Sequence, residues 1–332
     1  MADMKEARFW KKLEDGRVHC VLCPHNCHIA EGKHGLCRVR KNVGGTLRST
    51  IYGRVTSVSV DPIEKKPLYH FHPGSAILSL GTMGCNFACL FCQNYTISQM
   101  EAPTRPFSPE EAVQAAVERN SIGIAYTYNE PFIWWEYVYD TARLARENGL
   151  VNVLVTNGYV QEEPLREMLP FIDALNVDVK GMRPDFYRDI CRGRLEPVLE
   201  TCRIAAARTH VEFTNLVIPG YNDTDDDFEK LSSWAAQNMG RQTPAHLSAY
   251  FPVYKLQAEP TPLSTLERAA GIFRKHLDYV YLGNVLVAGA ADTACVQCGS
   301  KLIERTGYST RVTGLSADGT CGKCGAKNNI VM

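Results

Sequence analysis

Three cysteines, Cys85-x3-Cys89-x2-Cys92, follow an apolar run at Ile77–Leu80 and two closely placed glycines, Gly81 and Gly84. Thiolates at this spacing on one loop can reach three corners of a [4Fe–4S] cluster. A full set of cysteine ligands would be four, so one iron is left without a protein ligand. An iron with an open position can bind and activate a small molecule. Phe91, just before the last cysteine, would screen such a cluster from water, and the glycines let backbone pass close to it. The plainer reading is a three-thiol zinc site or three buried thiols, against which stands the normal closure of structural zinc with four ligands.

Two further cysteine sets flank this loop. Cys20-x2-Cys23-x3-Cys27-x9-Cys37 supplies four thiols, with His19, His25, His28 and His34 interspersed. Such a set can close around one tetrahedral zinc or hold an auxiliary iron–sulfur cluster. Near the other end, Cys295-x2-Cys298-Gly and Cys321-x2-Cys324-Gly bracket a β-rich stretch, Lys301–Val312, and read as a zinc ribbon. An iron centre of rubredoxin type is its main competitor. Cys191 and Cys202 stand apart from the three sets and read as ordinary helix thiols.

The elements that must position these residues follow from hydrophobic periodicity. Strands are expected at Ile77–Gly81, Gly123–Tyr128, Val151–Thr156, Ala174–Lys180, Val211–Val217, His246–Phe251 and Tyr279–Asn284. Helices are expected at about 108–119, 132–148, 161–169, 185–208 with a break near Gly193, 225–238 and 264–275. Ser108-Pro109-Glu110-Glu111 is a capping box with proline at the first helical position. Such βα alternation predicts a parallel sheet with right-handed crossovers, in a TIM-like barrel, whole or partial, or an open doubly wound sheet. In either arrangement chemistry gathers at the C-terminal ends of the strands. The polar residues sit there: the cysteine loop, Asn129-Glu130, Thr156-Asn157, Asp178-Val179-Lys180 and Pro219–Asp223. Asp178 and Lys180 interrupt an apolar strand, which favours a paired or ligand-facing arrangement.

The chain divides into a four-cysteine module over 1–75, a (β/α) body over 76–290 and a ribbon over 291–332. Strand-like residues at Thr46–Val60 are expected to pack the first module onto the body, and both metal modules to close the barrel mouth. Of 332 residues, 45% are hydrophobic and 22% charged, as in a globular enzyme, and 36 basic residues balance 36 acidic ones. That balance gives no field for nucleic acid or for a membrane surface, and no stretch has the apolar length of a membrane span. Arg38, Arg40 and Lys41 read as a solvated basic face. With no apolar leader at Met1–Lys12, the expected compartment is the cytoplasm, where clustered cysteines among thirteen are metal ligands rather than disulfides.

Cys-x3-Cys-x-aromatic-Cys after a short strand resembles the motif of the radical S-adenosylmethionine (SAM) enzymes. The run on through Gln93 and Asn94 is similar to the branch called AmmeMemoRadiSam system radical SAM enzymes, often labelled as like pyruvate formate-lyase activating enzyme. The resemblance implies a partial (β/α) barrel and Cys85, Cys89 and Cys92 as catalytic ligands of a [4Fe–4S] cluster. Such an enzyme, oxygen-sensitive, cleaves SAM to a 5′-deoxyadenosyl radical that abstracts hydrogen from a substrate. It places Asn129 and Glu130 where such enzymes carry Gly-Gly-Glu, with Tyr128-Asn129 replacing the glycines, and gives SAM-binding roles to Asn129, Glu130, Thr156, Asn157, Asp178 and Lys180. The Pro219–Asp223 turn would line the adenine pocket. An electron donor of flavodoxin or ferredoxin type, partners of AMMECR and Memo type, and a protein or small-molecule substrate follow from the same likeness. Activation of a glycyl radical enzyme and a non-catalytic electron-transfer protein are the alternatives.

Overall fold

The computed structural model describes residues 4–332. Its centre is one eight-stranded sheet whose spatial order follows the sequence. The strands are β1 (Ser57–Pro62), β2 (Ala76–Gly81), β3 (Gly123–Tyr126), β4 (Val151–Thr156), β5 (Ala174–Asp178), β6 (His210–Val217), β7 (Ala245–Ala249) and β8 (Val280–Gly283). β2 to β8 are parallel, and β1 runs antiparallel along β2 with Ser59 opposite Ser79. The runs that periodicity marks as strands are these strands. β1 is the addition: the sheet begins at Ser57, inside the stretch that the sequence assigned to the first module. Because β1 and β8 each keep one free edge, the sheet is an open, partial barrel and not a closed one.

The strands are buried along most of their length, as parallel strands covered on both faces must be. The covering helices are α1 (Pro109–Glu118), α2 (Trp135–Glu147), α3 (Glu162–Met168), α4 (Glu196–Ala206), α5 (Asp225–Asn238) and α6 (Leu263–Phe273). α1 starts with the expected capping box: Glu111 N donates to Ser108 Oγ at 3.2 Å, and Ser108 N to Glu111 Oε2 at 2.6 Å. Its buried face is Ala112, Val113 and Ala116. Between β5 and α4 the expected break takes the form of a π-helical turn, Tyr187–Cys191, closed by Arg192 at φ +63°.

Residues 63–75 run beneath the sheet from β1 to β6. Ile63, Leu68 and Phe71 pack with Ile77, Ala125, Val153 and Ala174. Tyr69 N and His70 N donate to the buried Glu212 carboxylate on β6 at 3.0 and 2.7 Å, and His246 Nε2 lies 2.6 Å from the same group. Burial opposes the Glu212 charge, but hydrogen bonds from His210 and His246 outweigh it and hold the carboxyl well below its ordinary value. His246 therefore belongs to this floor rather than to a substrate surface.

The small modules take opposite ends. Antiparallel strands at Trp10–Lys12, Val18–Cys20 and His28–Ile29, with a hairpin of Arg40–Val43 and Thr46–Ser49, form the N-terminal module. It leans on the cysteine loop: His25 Nε2 is 2.7 Å from Asn86 O, and Arg38 donates to Ser98 O and Gln99 O. Arg40 is buried in an ion pair with Glu136. Arg38 and Arg40 are thus struts rather than a solvated face, because each finds fixed acceptors under the module. The ribbon, with strands Thr293–Ala294, Lys301–Thr306 and Ser309–Val312, docks under the sheet. Tyr279, just ahead of β8, donates to Asn328 Oδ1 at 3.0 Å, and Arg305 to Tyr69 O at 2.6 Å. It lies at the N-terminal ends of the parallel strands and does not close the mouth, correcting that expectation.

Candidate functional site

β2 delivers the chain to the C-terminal end of the sheet, and the cysteine loop turns there. Asn129 holds the loop's start, its Oδ1 accepting from Thr82 N at 3.1 Å and its Nδ2 donating to Gly84 O at 2.9 Å. Asn94 closes the far side on Tyr128 O at 2.7 Å. Tyr128 has φ +71°, a left-handed backbone that glycine adopts freely. Its phenol donates to Asp61 on β1 at 2.5 Å, and the Lys66 ammonium contacts the same carboxylate at 2.7 Å. That anchoring gives a physical account of a tyrosine where the resemblance expects glycine.

Cys89 is buried, and Cys85 and Cys92 are half-buried. Each sulfur has a donor or a hydroxyl beside it. Phe87 N reaches Cys85 Sγ at 3.4 Å and Asn157 Nδ2 reaches it at 3.6 Å, while Ser98 Oγ lies 3.0 Å from Cys92 Sγ. The neighbouring Cys191 thiol foremost, and burial with it, push the Cys89 thiol well up. Burial foremost pushes up the Cys85 and Cys92 thiols. Thiolates here need a strong cationic partner. Among the described residues the ligand atoms of Cys295, Cys298, Cys321 and Cys324 alone gather within 4.8 Å. The three loop sulfurs stand wider apart than a single ion would hold them, yet near enough to raise one another's pKa. As a donor set, three thiols on one loop suit three corners of an iron–sulfur cube.

The remaining residues of the set line the adjoining strand ends. The buried Glu130 carboxylate accepts from Thr156 Oγ1 at 2.7 Å, Asn157 N at 2.8 Å and Phe132 N at 3.0 Å. It caps the turn after β3 and ties that turn to β4, and burial raises its pKa to about 7. Thr156 therefore faces Glu130, while Asn157 reaches Cys85. Lys180 pairs with Asp178 at 3.2 Å, its ammonium 5.6 Å from the centre of the Phe91 ring. Burial works against the Lys180 charge, but Asp178 and the thiols of Cys89 and Cys191 outweigh it and raise the pKa. Asp178 keeps 40% of its side chain exposed. Asn222 of the Pro219–Asp223 turn donates to Lys180 O at 2.7 Å, so this turn too belongs to the mouth.

Sequence reasoning passed over Cys191, Ser98 and Asp61. A lone cysteine just ahead of a predicted helix break, a serine ending a short helix and an aspartate on an edge strand carry no spacing signal that sets them apart. Of the aromatic residues, Tyr250 is buried, and Tyr254 stacks on Tyr95 at 4.7 Å.

The two outer cysteine sets differ. In the ribbon, Cys295 and Cys324 sulfurs lie 3.6 Å apart and Cys298 and Cys321 sulfurs 3.7 Å. A single tetrahedral zinc with bonds of about 2.3 Å would set its sulfurs about 3.8 Å apart, so the four fit one metal ion. Cys20, Cys23, Cys27 and Cys37 are not drawn together to that spacing, although Cys23 feels the charge of the other three. Their histidines stay out of the set: His19 and His28 pack on each other at 4.4 Å, and His25 is on Asn86.

A sequence profile for the radical SAM superfamily matches residues 80–235, from the end of β2 into α5. An uncharacterized protein of Methanocaldococcus jannaschii is 46% identical over 336 residues, covering 99% of this chain and 100% of its own. Pyruvate formate-lyase 1-activating enzyme of Escherichia coli is 24% identical over 213 residues, 58% of this chain and 86% of that one. Among solved structures, a radical SAM methyltransferase from Sphaerobacter thermophilus covers 70% of this chain and 71% of its own, with a TM-score of 0.50 and 17% identity. Streptococcus suis SuiB bound to S-adenosylmethionine covers 63% and 52%, with a TM-score of 0.51 and 11% identity. At these identities the structural likeness speaks for the fold alone.

Proposed function

The chain belongs to the radical SAM superfamily, and from that premise we propose that it cleaves S-adenosylmethionine reductively and uses the radical released to take hydrogen from a substrate. A [4Fe–4S] cluster, when bound, supplies the electron that splits the sulfonium into methionine and a 5′-deoxyadenosyl radical. The observation that carries this reading is the Cys85–Cys92 loop. It offers three thiols at the mouth and none of its own for a fourth corner.

This chain's residues do the positioning. Cys85, Cys89 and Cys92 hold the cluster, and Asn157 orients Cys85. Asp178, half-exposed at the mouth, takes the SAM ammonium in a charge-assisted hydrogen bond. Lys180 pairs with Asp178 and sets a positive charge beside Cys89. Asn129, Glu130 and Thr156 act behind that layer, fixing the loop and the ends of β3 and β4. The ribbon cysteines hold zinc, and Cys20, Cys23, Cys27 and Cys37 hold a second zinc or an auxiliary cluster. The chemistry lies in the body that the sequence places at 76–290, with β1 added, between the modules at 1–75 and 291–332.

A protein substrate is the favoured class, because several relatives are named activating enzymes, including those of (2S)-3-sulfopropanediol dehydratase and indoleacetate decarboxylase. A glycyl radical enzyme activase is therefore the second reading. A flavodoxin- or ferredoxin-type donor and proteins of AMMECR and Memo type are the proposed company, and the cytoplasm the proposed compartment. Among the described residues no helix is long and apolar enough to cross a membrane.

The test is anaerobic reconstitution, reduction with dithionite, addition of SAM and chromatography for 5′-deoxyadenosine. Product that vanishes in Cys89→Ala supports the proposal. A wild-type protein that holds its cluster and yields none would sink it.

A further inference from the structure

The N-terminal module grips the chain just past the cysteine loop with one side chain. A turn closed by Arg38 N on Gly35 O at 2.8 Å leaves Arg38 with a left-handed backbone, φ +68°. Its two terminal nitrogens donate to Gln99 O and Ser98 O, one carbonyl each. These carbonyls end the short helix Tyr95–Ser98, and carbonyls at a helix end have no partner within it. The same helix is tied to the cysteine loop. Gly84 N donates to Ile97 O at 2.8 Å, and Gln99 Nε2 donates to Phe87 O at 2.9 Å.

What the grip fixes is the Ser98 hydroxyl. Ser98 is buried, its Oγ lies 3.0 Å from Cys92 Sγ, and it also accepts from Gln99 Nε2 at 3.4 Å. A sulfur that ligates metal has lost its hydrogen, so the hydroxyl is the donor of that pair. The Gln99 amide occupies a lone pair and leaves the hydroxyl hydrogen for the sulfur. Burial foremost raises the Cys92 pKa, and the Ser98 hydroxyl opposes it, as a donor to the sulfur does. Cys85 takes its donors from Phe87 N and Asn157, neither of them held by Arg38.

We propose that Arg38 is a positioning residue for the cluster: by holding the Ser98 and Gln99 carbonyls it keeps the Ser98 hydroxyl on Cys92 Sγ, which makes the cluster easier to reduce. The physical basis is that a donor to a ligand sulfur stabilises the more negative, reduced state, and hydrogen bonds to the sulfurs are among the determinants of cluster potential. The N-terminal module thereby acts on the chemistry of the body through a single guanidinium. The inference rests on the cluster assignment to Cys85, Cys89 and Cys92.

The experiment is an EPR-monitored redox titration of the reconstituted protein without SAM, with iron and sulfide analysis alongside. The variants are Ser98→Ala, Arg38→Ala, the two combined, and Arg38→Lys. Arg8→Ala is the control, because Arg8 joins the same module to Glu167 on α3 and not to the loop. The midpoint is expected to move to more negative potential in Ser98→Ala and in Arg38→Ala, with iron content kept. The combined variant should move no further than Ser98→Ala alone, since without the hydroxyl its positioning has nothing to act on. Arg38→Lys, which keeps a cationic donor, returns the midpoint toward the wild-type value, and Arg8→Ala leaves it in place. An unchanged midpoint in Ser98→Ala or in Arg38→Ala overturns the inference. Shifts that add in the combined variant overturn it too, because Arg38 would then act by its charge and not through Ser98. Loss of iron in both Arg38 variants does the same, making Arg38 a prop of the fold. Failure of the wild type to take up a four-iron cluster at these cysteines would instead strike the functional reading itself.

Discussion

The carbonyl oxygen of Cys37 lies 2.6 Å from the point where a Cβ on Gly84 would stand, and Val39 Cγ1 lies 2.7 Å from it. The residue before Cys85 thus touches the backbone of the N-terminal module, at φ +90°. Gly84→Ala is expected to destabilise the protein by about 2–4 kcal/mol, from overpacking and from the left-handed backbone together. Gly149→Ala is the control, since Gly149 has φ +71° and open space around it. Denaturant midpoints measure both. Equal losses in the two variants would show that the contact with Cys37 contributes nothing.

Glu130 has a pKa near 7 where 4.5 is ordinary. As the pH rises past 4.5 the unfolded chain releases this proton while the folded chain keeps it. The folded state therefore loses stability from pH 4.5 up to 7, by at most about 3 kcal/mol. The difference between wild type and Glu130→Gln, followed by urea unfolding of the cluster-free protein, should fall across that window. A flat difference would mean that Thr156, Asn157 and Phe132 keep the carboxylate ionised throughout.

Asp178→Asn is expected to raise the KM for SAM about tenfold, the loss of roughly 1.4 kcal/mol from one charge-assisted hydrogen bond. The cluster's EPR spectrum without SAM should be unaltered. An unchanged KM would remove Asp178 from the SAM site.

Arg305 and Glu64 have side chains without solvent exposure, 3.7 Å apart. Arg305→Ala leaves that carboxylate buried without its cation and should cost about 3–5 kcal/mol. Thermal unfolding and proteolysis of the ribbon measure it, and a loss under about 1 kcal/mol would contradict the role of Arg305 as a strut.

The ribbon's apolar core is Cys295, Leu302, Ile303 and Cys321, too little to hold three short strands unaided. Cys321→Ser is expected to lose one equivalent of zinc by elemental analysis. Residues 295–324 should then become open to protease while the central sheet stays folded, because structural zinc contributes about 10–16 kcal/mol in isolated fingers. Unaltered protease resistance after zinc loss would count against a metal-dependent ribbon.

The parallel sheet was legible because its strands are apolar runs of six or so residues set between helical patterns, and Ser108 to Glu111 announces one helix outright. The cysteine loop and the ribbon were legible because metal ligation demands fixed spacing. What escaped was long-range and polar. Ser57–Pro62 alternates like any edge strand, and nothing local says that it pairs with β2. Arg40 looks like a surface charge until Glu136, nearly a hundred positions away, is placed against it. Cys191 resembles any helix thiol because its partner lies on another loop. The ribbon's position could not be read at all, since Arg305, Asn328 and Tyr279 meet only once the sheet has formed.

A sheet ordered in space as in sequence has a consequence for how the chain acquires its structure. Each parallel pairing joins neighbouring βα units, so the closures are short and the sheet can grow strand by strand as the chain is made. The segment beneath it cannot. Tyr69 and His70 must wait for Glu212, and His70 then meets Asn328, 258 positions along the chain. The floor is therefore the last part to set, and native-state hydrogen exchange should find its amides opening before those of β3, β4 and β5.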